Sequence, residues 1–226
     1  WTITATGING AFASKWYVSA TTAGGVLPGN CGGGCVTTPG SSNQTLHVGV
    51  VFIPPSGYPD PDSGAGYSDF PNAANFYSTS KRVESPTIDC SGQYVISLDF
   101  LYVAAPNAND KCTVVYSEDG VSWQNLGELP NSGSCGAQQD PWQAFQIDLP
   151  ASANDNQNVK IGFMWQNNSD GVKNSYSVAL DDIILTAGPA PEPPVANFEV
   201  LNGEHTFCQG GSATLNDIPT FYAFTN

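Results

Sequence analysis

The stretch from Tyr94 to Tyr102 restricts the fold of this chain more than any other. Its even positions, Tyr94, Ile96, Leu98, Phe100 and Tyr102, are apolar or aromatic, with Ser97 and Asp99 standing between them. A two-residue period puts one face of an extended strand against a core and the other towards water. A second strand, Cys112 to Ser117, runs into Glu118-Asp119-Gly120. Asp-Gly supplies the positive backbone angles of a tight hairpin before Val121-Ser122-Trp123 returns. The alternation recurs at Leu46, Val48, Val50 and Phe52, at Phe145, Ile147 and Leu149, and at Val159, Ile161, Phe163 and Trp165. Trp1 to Thr4 and Lys15 to Ala20 are shorter candidates. With 24 Gly and 17 Pro in 226 residues and no long helical periodicity, these segments predict an all-β, antiparallel domain.

The net charge of −14, with only six Lys and Arg, repels a phosphate backbone and an anionic lipid surface. Nucleic-acid partners are therefore excluded, and no apolar run is long enough for membrane insertion. Acidic loops instead suit calcium, a hard ion that selects oxygen ligands. The long connection from Pro54 to Ser80 holds Asp60-x-Asp62-x-Gly64, with oxygen donors at alternate positions around a glycine turn. It lacks a bidentate acid at a fixed spacing, and it reads equally as a solvated turn. The last strand, Tyr176 to Leu185, places Asp181 beside Asp182 in an apolar run. Neighbouring side chains point to opposite faces, so at least one carboxylate should face inward or sit at a bulge. A buried carboxylate needs a partner or a metal. Two readings follow: a structural calcium on Asp181 and Asp182, or an edge carboxylate in water. His47 lies on the less apolar face of its strand and is expected to face solvent or to be hydrogen-bonded.

Six cysteines in a polar, loop-rich chain point to an oxidising compartment. Cys31 and Cys35, flanking three glycines, suit a local disulfide, and a Cys112–Cys135 bridge would clamp the hairpin to the following loop. The second bridge would contribute roughly 3 kcal/mol. Cys31 and Cys35 also read as a metal or redox pair, although no further cluster completes a zinc site. Cys90 and Cys208 are left over: paired together, free, or paired outside this chain.

Prolines at 189, 191, 193 and 194 make residues 188–194 a stiff linker. Residues 1–187 then form the main domain, and 195–226 are too few to bury a core alone. That second segment is incomplete or is completed by another chain. Trp1-Thr2-Ile3 is already strand-like, so the chain reads as a piece of something longer.

In order along the chain, SPTIDCSGQYVISLDFLY, VVYSEDGVSWQNL, WQAFQIDLPASANDNQNVKIGFMWQNN and ALDDIIL resemble the jelly-roll β-sandwich modules of secreted bacterial adhesins and proteases, the cleaved-adhesin type related to MAM domains. PPVANFEV with CQGGSATLND resembles the opening of a PKD domain, an immunoglobulin-like sandwich. The first resemblance implies a non-catalytic module outside a bacterium or on its surface, binding carbohydrate or surface protein or spacing other domains. It also implies a calcium at the paired aspartates Asp181 and Asp182. GVKNS, between Asp170 and Tyr176, lacks the acidic residue that relatives show there.

A binding module needs exposed aromatics for sugar rings, and Tyr58, Tyr67, Trp123 and Trp142 are the candidates. Each also suits core or rim packing. No H-E-x-x-H or G-x-S-x-G motif is present, and His47 and His205 are the only histidines. A glycosidase using two carboxylates stays open, because their spacing is invisible in sequence. A third class is a stalk or assembly subunit that completes its C-terminal segment with a neighbouring subunit.

Overall fold

The computed structural model describes residues 1–19, 44–49, 64–67, 77–105, 109–132, 142–168, 170 and 177–192, and the backbone of 198–200 and 215–217. The strands are β1 (Thr2–Ala5), β2 (Lys15–Ser19), β3 (Thr45–Gly49), β4 (Thr79–Glu84), β5 (Tyr94–Ala104) and β6 (Lys111–Ser117). They continue with β7 (Gln124–Glu128), β8 (Gln143–Asp148), β9 (Lys160–Asn167), β10 (Val178–Gly188), β11 (Phe198–Val200) and β12 (Leu215–Asp217). A single 3-10 turn, Ala151–Ala153, is the one helical element among the described residues.

Two five-stranded sheets form, sheet I in the order β1-β4-β9-β6-β7 and sheet II in the order β2-β3-β10-β5-β8. Every recorded pairing is antiparallel. The chain passes repeatedly from one sheet to the other, and the result is the expected all-β jelly-roll sandwich. Its core follows the two-residue period. Ile96, Leu98, Phe100 and Tyr102 of β5 and Ile161, Phe163 and Trp165 of β9 are all buried. Phe100 meets Phe163 edge to face across the sheets, with centroids 5.1 Å apart. Each such side chain contributes roughly 1.5–3 kcal/mol by leaving water. Trp16 of β2 spans the layers and donates its indole N–H to the Lys81 carbonyl at 3.0 Å.

Two expectations take a different form in the structure, the β6–β7 turn and the cysteine clamp, and two that left alternatives open, Asp181 with Asp182 and His47, are decided by it. The connection between β6 and β7 runs over residues 118–123, longer than a two-residue hairpin. Gly120 adopts φ +74°, while Asp119 organises the turn through its side chain, accepting the N–H groups of Val121 at 2.8 Å and Ser122 at 2.7 Å. Those bonds hold the Asp119 carboxyl down to about 2. Asp181 and Asp182 do not turn into the core. The β10–β5 register slips between Asp181 and Ile184, and Asp182 sits in that bulge at φ +49°, exposed, with Asp181 half-buried. The extra residue absorbs the conflict between two adjacent carboxylates and an alternating strand. His47 is fully buried, so the solvent-facing option is corrected: its ring nitrogens meet Thr45 Oγ1 at 2.9 Å and Ser19 Oγ at 3.3 Å. Finally, Cys112 is a free thiol fully buried in the core, and its pKa is pushed up by burial. The clamp expected between Cys112 and Cys135 is therefore not formed here; Cys135 itself lies outside the described residues, as do Cys31, Cys35 and Cys208. Cys90 is likewise free and buried.

The chain divides into two compact units, Trp1–Ala190 and Pro191–Asn226. In the second, β11 and β12 pair antiparallel, with Glu199 opposite Asn216.

Candidate functional site

Among the described residues, the outer face of sheet I gathers a cluster of charged side chains beside an aromatic. With Val83, Val114 and Phe163 turned into the core, the residues between them must point outward. Cross-strand register then builds two rows on that face. One runs Thr4, Arg82, Met164, Thr113, Glu128, and the other Thr2, Glu84, Gly162, Val115, Asn125. Trp123, at the end of the β6–β7 turn, folds back over the second row. Gly162 makes this possible: a Cβ there would stand 3.1 Å from the indole Cζ3 and 2.7 Å from the Val83 carbonyl oxygen.

Arg82 lies against the indole, its Cζ 4.0 Å from the ring centroid, a cation–π contact. The guanidinium is locked in turn. Its Nε and Nη2 donate to Glu84 Oε1 at 3.0 and 2.7 Å, and Lys160 Nζ is 3.6 Å from Glu84 Oε2. Arg82 and Glu84 side chains are 13% and 9% exposed, so water screens this pair less than an ordinary surface bridge. Burial alone would raise the Glu84 pKa, but hydrogen bonds from Thr4 and Arg82 and the charges of Arg82 and Lys160 bring it below the usual glutamate value. The indole thus rests on an ordered ionic bed and remains half-buried, with part of its surface in solvent.

Further along the face, Lys111 Nζ and Glu128 Oε1 form a 2.6 Å bridge, and those side chains are 46% and 58% exposed. Three of the six Lys and Arg residues, Arg82, Lys111 and Lys160, therefore stand on one face of a chain whose net charge is −14. Two carboxylates oppose them there.

This face is poorly suited to glycoside hydrolysis. Glu84 on β4 and Glu128 on β7 are separated by three strand spacings, about 14 Å. A carboxylate pair needs roughly 5–10 Å, and a general acid needs a raised pKa rather than the lowered one of Glu84.

The other candidates fall elsewhere. Tyr67 is a correction: it is 4% exposed, packs edge-on against Trp165 with centroids 5.3 Å apart, and donates its hydroxyl to Asp110 Oδ2 at 2.6 Å. It is a core residue. Trp142 is half-buried beside a small cluster of Ala65, Val103, Ala105 and Ala179 on the opposite side of the sandwich from Trp123. Tyr58, Asp60 and Asp62 lie outside the described residues. Asp181 and Asp182 stand together at the β10 bulge. They supply two carboxylates, Asp181 Oδ1 accepts the Asp182 N–H at 2.9 Å, and no group of three acidic, histidine or cysteine ligands exists among the described residues. The sequence reading missed Arg82, Glu84, Gly162 and Thr113. For Arg82 and Glu84 the signal is the segment Arg82-Val83-Glu84, in which an inward Val83 leaves two opposite charges on the outer face; Gly162 and Thr113 carry no local signal.

No family model and no characterised protein matches the sequence. Solved structures match in strand architecture. A family 61 carbohydrate-binding module with β-1,4-galactotriose shares 14% identity over 49% of this chain and 65% of its own, with a TM-score of 0.34; this chain thus spans just under two thirds of that module. A family 27 carbohydrate-binding module of Caldicellulosiruptor saccharolyticus with mannohexaose shares 13% identity over 80% of this chain and 87% of its own, with a TM-score of 0.41. The K3 cleaved adhesin domain of Lys-gingipain from Porphyromonas gingivalis w83 shares 16% over 56% and 81%, with a TM-score of 0.35. Chains of a tailspike and of a glycoside hydrolase match in the same range. Likeness at this level describes strands and carries no argument about a ligand. Among the described residues no helix is long and apolar enough to cross a membrane.

Proposed function

We propose that the chain is a non-catalytic binding module that takes carbohydrate on the outer face of sheet I, with Trp123 as the stacking platform. The observation behind this reading is the indole laid over Gly162 and braced by Arg82, with part of its surface still in solvent. A sugar ring presents C–H groups on its face, and an immobilised aromatic receives them with little loss of side-chain entropy. The flanking Lys111, Glu128 and Lys160 offer donors and acceptors for hydroxyl groups. A module of this kind belongs outside a bacterial cell, within a longer protein, and any calcium would draw on ligands beyond those described.

The test is affinity electrophoresis of the full chain in gels containing β-mannan, β-galactan, xylan or β-glucan, with calcium and again with chelator. Retardation by at least one polysaccharide is expected. Trp123→Ala should weaken it at least about tenfold in a chain that still unfolds cooperatively, with a midpoint lowered by the lost packing over Gly162 and Arg82. No retardation of folded wild-type chain in any gel would overturn the carbohydrate reading. Loss of retardation in chelator alone would place calcium in the module.

A further inference from the structure

Thr113 lies on the same outer face as Trp123, in the row between Met164 and Glu128. It is 1% exposed, and its Oγ1 has no hydrogen-bond partner among the described residues. A buried hydroxyl without a partner is costly. Valine would fill the same volume in a strand without that cost and with equal or better strand preference. The fold gives no reason for the oxygen.

The surroundings of this oxygen suggest one. Lys111 precedes Thr113 by two residues on the same face, Glu128 pairs with it across β7, and those two side chains bridge each other at the surface. Both are about half exposed, so the bridge is weakly held and can open without loss of fold. Once open, it leaves an ammonium donor and a carboxylate acceptor on either side of Thr113 in the strand register. Gly162, beneath Trp123, is the diagonal cross-strand neighbour of Thr113, about 7 Å away. That step is comparable with one sugar residue.

We infer that Thr113 is the specificity-determining residue of the sugar face. A pyranose stacks on Trp123, and the next ring inserts a vicinal diol between Lys111 and Glu128, with one hydroxyl bonded to Thr113 Oγ1. The ligand class is a neutral polysaccharide with adjacent free hydroxyls. This inference rests on the carbohydrate reading of the same face.

The experiment compares Thr113→Val and Thr113→Ser with wild type and Trp123→Ala, all as full chains, in the same polysaccharide gels, with thermal unfolding measured in parallel. Thr113→Val should lose at least tenfold in affinity while its unfolding midpoint equals or exceeds wild type, because an unpartnered hydroxyl has been removed. Thr113→Ser, which keeps the oxygen, should bind within threefold of wild type. Wild-type affinity in Thr113→Val, with Trp123→Ala defective, overturns this inference and leaves the carbohydrate reading standing. Weak binding by Thr113→Ser overturns it too, because the methyl rather than the oxygen would then matter; this arm decides the case even if Thr113→Val fails to fold. Wild type that binds nothing overturns both.

Discussion

The hydrogen bond from Tyr67 to Asp110 illustrates how single residues decide between packing and function in this chain. Asp110 is 1% exposed. Burial raises its pKa and the nearby charge of Asp170 raises it further, against the hydrogen bonds from Tyr67 and the Asn168 backbone. A carboxyl whose pKa is higher when folded favours folding in its protonated form. Its penalty is absent below the unfolded carboxylate pKa, near 4, and grows as pH rises through the folded pKa. Asp110→Asn removes that titration. The difference in unfolding midpoint, variant minus wild type, should therefore increase from pH 4 to pH 7 in a series of thermal melts. A difference constant across that range would mean that Asp110 titrates alike in both states. Tyr67 and Trp123 were equivalent candidates in sequence, as aromatics in loops. Tyr67 is drawn inward by an acceptor 43 positions away, and Trp123 is kept on the surface by a glycine on another strand.

At the scale of the strand, β10 shows how a local rule survives by being interrupted. In an uninterrupted strand, period two turns one of Asp181 and Asp182 inward; a bulge is the alternative. The bulge instead gives Asp182 a left-handed backbone and returns Ile183 and Leu185 to the edge of the core. Aspartate at φ +49° is strained relative to glycine. Asp182→Gly should therefore stabilise the sandwich by up to about 1 kcal/mol in denaturant unfolding, equally with calcium and with chelator. Destabilisation confined to calcium-containing buffer would show that the carboxylate holds an ion. The sequence named this conflict and offered the bulge as one outcome. Which outcome occurs depends on the register with β5, which lies far away in sequence. The β6–β7 turn is the contrasting case, since Asp119 and Gly120 act on their immediate neighbours and were legible as turn residues, though not the length of the connection.

For the whole molecule, the described residues of the core that joins the sheets all fall within Trp1–Ala190. A chain ending at Ala190 should unfold at the same midpoint as the full chain, as measured by circular dichroism; a clear fall would mean that the remaining residues support the sandwich. The β class, most strands and the inward residues of β5 and β9 were legible because they rest on a two-residue period that each strand carries in its own sequence. The site was legible only in part. Trp123 could be named as a candidate, but nothing local separated it from Tyr58, Tyr67 or Trp142. Its bed of Arg82, Glu84 and Gly162, and the stranded hydroxyl of Thr113, come from β4, β9 and β6, brought side by side by strand order. Sequence by itself determined which residues alternate and where the chain turns, because those are interactions between near neighbours. The tertiary structure alone decided which aromatic stays at the surface and which charges meet beneath it, because cross-strand pairing joins residues that share no local signal.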